Sequence, residues 1–102
     1  MRMMLHIKFP TERFNAMVKD GTVGPRIKAI LEDIKPEAAY FGEDAGGVRG
    51  AVVVVDIPSA DHLSKVSEPW FLSFNATVET HVAMTPEDLG KLGLDELAKK
   101  YA

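Results

Sequence analysis

The chain has 102 residues, of which 46% are hydrophobic and 26% charged, and its formal net charge is −3. This composition is typical of one small globular domain, and its basic residues are spread along the chain rather than clustered as in a nucleic-acid-binding surface. The absence of cysteine excludes disulfides, thiolate metal sites and a cysteine nucleophile.

The first part of the chain predicts a strand followed by a broken helix. Residues 2–9 alternate between apolar and other side chains, which is the pattern of a strand with one buried face. Residues 10–18 and 25–34 then carry apolar side chains at helical spacing, with Thr11 as the expected N-cap of the first segment. The second segment should end at Lys35, because a residue before proline disfavours the α region.

The middle of the chain predicts a β-hairpin. Residues 37–43 form its first strand, and the sequence DAGG at 44–47 has the composition of a hairpin turn. Residues 48–57, VRGAVVVVDI, give the clearest strand pattern in the chain.

A helix and a last strand follow the hairpin. Residues 58–71 predict a helix that Ser59 caps and that Pro69 ends or kinks. Residues 75–84, NATVETHVAM, alternate as a fourth strand.

Residues 85–102 form a C-terminal tail. Thr85 and Pro86 give a strong helix start, and Gly90 and Gly93 should divide the tail into a turn and a short terminal helix. The whole chain is therefore interpreted as one domain, with a core at 1–84 and a tail at 85–102.

The element order is the βαββαβ order of a ferredoxin-like α+β fold, a four-stranded antiparallel sheet with helices on one face. Right-handed crossovers place the first and third strands at the centre and the fourth beside the first. The third strand is apolar on both faces, with Val52 and Val54 on one side and Val53, Val55 and Ile57 on the other.

Only one of these two sets can meet the helices. Burying a Val or Ile side chain contributes about 1.5–3 kcal/mol, so three of them represent roughly 5–9 kcal/mol per chain. Since association costs on the order of 4–15 kcal/mol, we expect two chains to pair these faces, with Met4 and Tyr40 contributing. The alternatives are a central strand that is simply rich in valine, or a tail that folds back over the open face.

This pattern resembles the dimeric α/β-barrel superfamily over residues 1 to about 84. The resemblance rests on the element order, the valine-rich strand and the segment SEPWFLSFNATVETHVAM. It implies a ferredoxin-like monomer that pairs two sheets into a barrel. The superfamily includes muconolactone isomerase-like proteins, cofactor-free small monooxygenases, haem-degrading enzymes and chlorite dismutase-like domains, and no motif here singles out one of these activities.

The candidate catalytic residues are His6, Glu79 and His81, which the predicted sheet places on the face away from the helices. Two registers of the first and fourth strands are possible: His6 lies opposite Glu79, or it lies opposite His81. In either register two imidazoles and a carboxylate gather, and a carboxylate orients an imidazole for general acid–base catalysis. The alternative interpretation is an ordinary solvated sheet face. The same three side chains also have admissible metal-ligand types, but their spacing is generic and we expect no metal site.

Three further residues are candidates for substrate binding. Tyr40 could donate a hydrogen bond, Arg49 could bind a carboxylate, and Trp70 could form a pocket wall. Each also has a more common role: Tyr40 as a half-buried aromatic residue, Arg49 as a charge at the rim, and Trp70 as part of the core packing.

These features predict a homodimeric small-molecule-binding protein, which could be a cofactor-independent isomerase or monooxygenase-like enzyme acting on a small apolar or aromatic substrate. The alternative is a non-catalytic assembly or regulatory module whose barrel is only a dimer interface. Haem binding through a histidine is a third hypothesis, and we expect no cofactor.

We further expect a cytoplasmic protein without nucleic-acid or membrane partners, since the chain lacks the apolar run of a membrane span or signal peptide.

Overall fold

The computed structural model describes residues 1–44 and 46–102. Its elements follow the predicted order of strand, broken helix, two strands, helix, strand and helical tail. They are β1 (Arg2–Lys8), α1 (Thr11–Asp20), α2 (Val23–Ile34), β2 (Ala38–Glu43), β3 (Arg49–Asp56), α3 (His62–Phe74), β4 (Thr77–Val82), α4 (Pro86–Gly90) and α5 (Leu94–Tyr101). The predicted turn at 44–47 includes Ala45, which lies outside the described residues.

The four strands form one antiparallel sheet in the order β2-β3-β1-β4. This is the ferredoxin-like topology that the element order predicts. Of the two registers considered for β1 and β4, the structure has His6 opposite Glu79 and Lys8 opposite Thr77. The side chains of His6, Glu79 and Lys8 therefore share the face of the sheet that the helices do not cover.

The core lies between the sheet and helices α1, α2 and α3. Odd-numbered residues of the central strands point into it, because side chains alternate between the two faces of a strand. Trp70 and Phe74 of α3 are fully buried against them. The fully buried large side chains are Trp70, Phe9, Phe74, Leu5, Ile7, Val53 and Val55.

The larger of the two apolar sets on β3 is the one that meets the helices. Val53, Val55 and Ile57 are buried in the core, whereas Val52 and Val54 are half-buried on the uncovered face. The uncovered face thus presents two valines rather than three aliphatic side chains, and the apolar area available for pairing with a second chain is correspondingly smaller.

Two predicted helix boundaries are wrong. Thr11 is the first residue of α1 rather than its N-cap, and the capping position is Pro10, without a side-chain cap. Helix α3 has Asp61 at its N-cap position instead of Ser59, and it continues through Pro69 to Phe74. An interior proline costs about 3 kcal/mol, but ending the helix at Pro69 would remove the buried Trp70 and Phe74, whose loss costs more.

The C-terminal tail projects from the sheet as two short helices. The predicted start of α4 is confirmed, since the Thr85 hydroxyl accepts from the Asp88 N–H and the Asp88 carboxylate accepts from the Thr85 N–H. Helix α5 has no buried residue, so the tail does not fold back over the sheet. Among the residues that the structure describes, no helix has the length and apolar character needed to cross a membrane.

Candidate functional site

The uncovered face of the sheet carries a row of three polar side chains, Glu79, His81 and His6. Glu79 and His81 are two residues apart on β4, so they point to the same face and come into contact. Glu79 Oε1 lies 3.1 Å from His81 Nε2. The His81 ring in turn contacts the ring of His6 edge-on, with 5.3 Å between centroids and an 80° interplanar angle.

This row is a carboxylate–imidazole–imidazole sequence. The Glu79 carboxylate accepts a hydrogen bond from His81 whenever Nε2 carries a proton, and so fixes the orientation of that ring. The side chains of Glu79 and His81 are 72% and 53% exposed in the single chain, whereas His6 is half-buried on the central strand. The least exposed member therefore lies nearest the middle of the sheet.

His6 and Lys8 border two depressions on the uncovered face. The smaller has a volume of about 260 Å³ and lies over β1 and β4, where Thr77 and Glu79 complete its wall. The larger, of about 440 Å³, lies over β1, β3 and β2. Its lining residues are His6, Ile7, Lys8, Tyr40, Phe41, Gly42, Glu43, Asp44, Gly50, Ala51 and Val52.

The larger depression exists because two glycines lie opposite each other. Gly42 pairs with Gly50, which in turn pairs with Lys8 across the next strand. The neighbouring row across the same strands is Tyr40, Val52 and His6. A floor of bare backbone is thus bordered by a lysine at one end and by a tyrosine–valine–histidine row along its side.

Lys8 is held at the rim of this depression by an ion pair. Its Nζ lies 3.2 Å from Asp44 Oδ2, with the lysine side chain 59% exposed. Such a partly exposed pair contributes about 1 kcal/mol or less to stability, but it keeps an ammonium group beside the depression.

The sequence-predicted site residues divide between the two faces of the sheet. His6, Glu79, His81 and Tyr40 lie on the uncovered face. Arg49 points to the helices, where its Nη1 donates to Asn15 Oδ1 at 2.7 Å and its guanidinium lies 4.6 Å from the Phe14 ring centroid. Its predicted role in carboxylate binding stays a prediction.

Trp70 also lies on the helix side and packs against aromatic rings. Its ring is fully buried, with centroids 6.1 Å from both Phe9 and Phe74 and 6.5 Å from Phe41. Its Nε1 has no hydrogen-bond acceptor among the described residues. Trp70 is therefore separated by the sheet from the His6 row, and its predicted part in a substrate pocket also stays a prediction.

Sequence reasoning missed the glycine pair. The signal was present, because a hairpin that turns around residue 46 pairs position 42 with position 50, and both are glycine. Within the described part of the chain, no group of three or more His, Asp or Glu side chains has the arrangement needed to hold a metal ion.

Comparisons with known proteins support the fold. No family model matches the chain, and no curated protein matches it. Among solved structures, 16 chains match. One is 5-chloro-2-hydroxyhydroquinone dehydrochlorinase (TftG) from Burkholderia phenoliruptrix, solved in complex with 2,5-dihydroxybenzoquinone; it has a TM-score of 0.61 and 14% identity, and the match covers 85% of this chain and 97% of that chain. At this level of identity the likeness shows the shared ferredoxin-like fold.

Proposed function

We propose that this chain forms a homodimer of the dimeric α/β-barrel type, in which two sheets face each other and enclose the His6–His81–Glu79 row. The enclosed face binds a small apolar or aromatic molecule and acts on it by acid–base catalysis without a cofactor. The observation that carries this proposal is the contact of His81 with both Glu79 and His6 at the edge of two depressions. We place the activity in the cytoplasm and in one domain, with residues 1–84 as core and 85–102 as tail.

Apolar side chains on the uncovered face support pairing with a second copy. Met4 lies opposite Val54, and Val52 lies two residues from Val54 on the same face; all three are only half-buried. Tyr40, opposite Val52, is 72% exposed. Complete burial of an aliphatic side chain contributes about 1.5–3 kcal/mol relative to full exposure, so each half-buried residue contributes less than that on pairing. The exposed leucines of the tail, Leu89, Leu92, Leu94 and Leu97, add apolar surface that a second copy could cover.

In the proposed mechanism His6 exchanges a proton with the substrate. The substrate O–H, or a C–H next to a carbonyl, gives its proton to the imidazole, and the electron pair stays on the substrate as a phenolate or enolate. The Glu79 carboxylate, acting through His81, offsets the positive charge that this transfer creates. The imidazolium then gives the proton to a different atom of the anion, which completes an isomerisation and restores the neutral imidazole.

The likeness to a dehydrochlorinase supports this proposal at the level of chemical class. That protein acts on a hydroxylated aromatic ring and was solved with a dihydroxyquinone bound. A scaffold of this topology can therefore hold a small ring compound.

The alternative function is a non-catalytic assembly module, which the high exposure of Glu79 and His81 favours. Two measurements distinguish the acid–base enzyme from the assembly module: sedimentation, and a thermal-shift screen of small aromatic compounds and keto acids. A ligand at 100 times its dissociation constant raises the stability by about 2.7 kcal/mol. The acid–base proposal expects a dimer with at least one hit whose turnover falls about 10²–10⁴-fold in His6→Ala or His81→Ala. Unchanged binding and turnover in both variants contradict it, and a dimer without hits supports the assembly module.

A further inference from the structure

The larger depression has a flat floor made by two glycines on the uncovered face. Gly42 and Gly50 are direct partners across β2 and β3, and both line the depression. With no side chain at either position, the exposed surface there is peptide backbone. The neighbouring row of Tyr40, Val52 and His6 rises beside it.

Only one of these glycines has a structural reason to be glycine. A Cβ atom at Gly50 would lie 2.8 Å from the Ile7 carbonyl oxygen, which is too close for any side chain. A Cβ atom at Gly42 would have no heavy atom within 4 Å, and the positive-φ glycines of the described chain are Gly21, Gly47 and Gly93. Glycine inside a strand weakens it and often marks a close approach of another group. Since no part of the chain approaches Gly42, its effect is to leave the depression open.

The depression has the size and polarity of a site for a small uncharged ring. Its volume of about 440 Å³ falls within the roughly 300–1,000 Å³ of small-molecule sites. Its lining includes the ammonium of Lys8, which is already paired with Asp44. The Glu43 side chain lies opposite Arg49 in the register and therefore points to the helix side of the sheet. With Lys8 and Asp44 paired, the depression offers no net positive charge to a ligand carboxylate, whereas a neutral hydroxyl group needs none.

We propose that the Gly42–Gly50 floor is the ring-binding subsite and that it takes a planar, uncharged, hydroxylated ring of the phenol class. The ring lies flat on the backbone of the two glycines, with its hydroxyl directed to His6. Proton transfer from that hydroxyl to the imidazole leaves a phenolate beside the His6 imidazolium, and the positive charge formed on His6 offsets that of the phenolate. Gly42 is accordingly a specificity-determining residue. This inference rests on the acid–base function proposed above and adds the position and class of the ligand.

The test uses 4-nitrophenol, whose absorption spectrum changes when it loses its proton. Gly42→Val places a side chain on the floor, where a Cβ atom meets no heavy atom within 4 Å. Ala38→Val adds the same side chain on the same strand and face, four residues away. We expect wild type and Ala38→Val to bind the probe equally, and Gly42→Val to bind it at least about tenfold more weakly. Sedimentation and thermal unfolding of each variant check that its oligomeric state and its fold are those of the wild type. The phenolate spectrum of the bound probe should be lost in His6→Ala, and benzoate should bind at least about tenfold more weakly than 4-nitrophenol.

The outcomes separate this inference from the function on which it rests. Equal binding of 4-nitrophenol by Gly42→Val and wild type overturns the subsite but leaves acid–base catalysis elsewhere on the face. Benzoate binding as tight as that of 4-nitrophenol overturns the preference for an uncharged ring. Hits among keto acids in the thermal-shift screen, without binding of 4-nitrophenol, overturn the ligand class but not small-molecule binding. A wild-type protein that binds no compound in either assay overturns both proposals.

Discussion

Glu79 pairs with His81 along one strand, although the register places it opposite His6. Its carboxylate lies 3.1 Å from His81 Nε2, and the His81 ring then touches His6. Spacing of i and i+2 on a strand suffices to bring two side chains together on one face. The three groups therefore form a sequence in which the carboxylate acts on His6 through His81.

Replacement of Glu79 by Gln should lower turnover without unfolding the protein. The Glu79–His81 pair is more than half exposed, and exposed ion pairs contribute about 0–1 kcal/mol to the free energy of unfolding. Turnover of a hit from the ligand screen should fall by a smaller factor than the roughly 10²–10⁴-fold expected for a direct acid–base group. Steady-state kinetics and chemical denaturation measure the two quantities.

Glu32→Gln is the matched control for Glu79→Gln. Glu32 is exposed on α2, where its Oε1 lies 4.0 Å from Lys28 Nζ. The Glu32→Gln substitution should leave turnover unchanged. If both variants behaved like wild type, the negative charge of Glu79 would have no part in turnover.

Replacement of Val54 by Lys should convert the proposed homodimer to monomers. Val54 lies on the uncovered face between Met4 and Ala38, so a lysine there places a charge in the interface without disturbing the core. Because Val54 is already half-buried in the single chain, its further burial contributes about half of the 1.5–3 kcal/mol of a fully buried valine. A homodimer loses two such residues, which corresponds to roughly a 10- to 100-fold weaker dimer, and the two buried charges add to this. Sedimentation velocity measures the change.

Val18→Lys provides the comparison for that experiment. Val18 is 48% exposed on α1, on the far side of the sheet, and should leave the dimer intact. A wild-type chain that sediments as a monomer at micromolar concentration would contradict the pairing of the two sheets.

The valine-rich strand shows what the sequence could and could not predict. Alternation identified β3 and divided its side chains into two sets, because that division follows from strand geometry alone. It did not say which set faces the helices, since both are apolar. That choice depends on the register with β1, which places Val53 beside Leu5 in the core and Val52 beside His6 on the open face.

For the candidate site, too, the sequence predicted which side chains share a face but not which of them come into contact. The shared face of His6, Glu79 and His81 followed from alternation, but the register and the Glu79–His81 contact are properties of strand pairing. The glycine floor depends on the position of the hairpin turn, which local composition fixes only to within a residue or two. For Pro69, the alternative that it ends the helix is wrong, because the burial of Trp70 and Phe74 outweighs its local helix-breaking effect.

Trp70 offers a test of an unsatisfied buried donor. Trp70→Ala should lower the free energy of unfolding by about 3–5 kcal/mol, as for other large buried aromatics. Trp70→Phe should cost less than Trp70→Ala, because phenylalanine leaves a smaller cavity and the lost indole N–H has no acceptor in the described structure. Urea denaturation measures both values.

Equal destabilisation by the two Trp70 substitutions would contradict this expectation, because it would mean that the phenylalanine ring restores none of the lost packing. Ligand affinity gives a second measurement on Trp70→Phe. Since Trp70 lies on the helix side of the sheet, we expect the affinity to match wild type. A weaker affinity at unchanged stability would support the substrate-binding role that the sequence predicts for this residue.

The start of the tail should respond to acid through Asp88. The Thr85 backbone N–H, followed by the Thr85 hydroxyl, holds the pKa of Asp88 below its ordinary value, and Arg2 Nη1 lies 3.5 Å from its carboxylate. A depressed folded-state pKa means that the capping interaction is fully present above the ordinary pKa of an aspartate. It is lost as the pH falls below that value and through the folded-state pKa. Hydrogen exchange of the Thr85 and Leu89 amides, measured as a function of pH, should therefore show α4 fraying only under acid conditions.

Asp88→Asn isolates the contribution of the charge to this transition. The amide oxygen of Asn can still accept a hydrogen bond from Thr85, but it does not titrate in this range. Protection of the amides should then be weaker than in wild type at neutral pH, because the tail loses its ion pair with Arg2, which keeps Glu37 as a carboxylate partner at 2.9 Å. It should also no longer change with acid. Asp95→Asn, on α5, is the control and should retain the wild-type profile. If Asp88→Asn kept the same acid transition as wild type, another group would control the start of the tail.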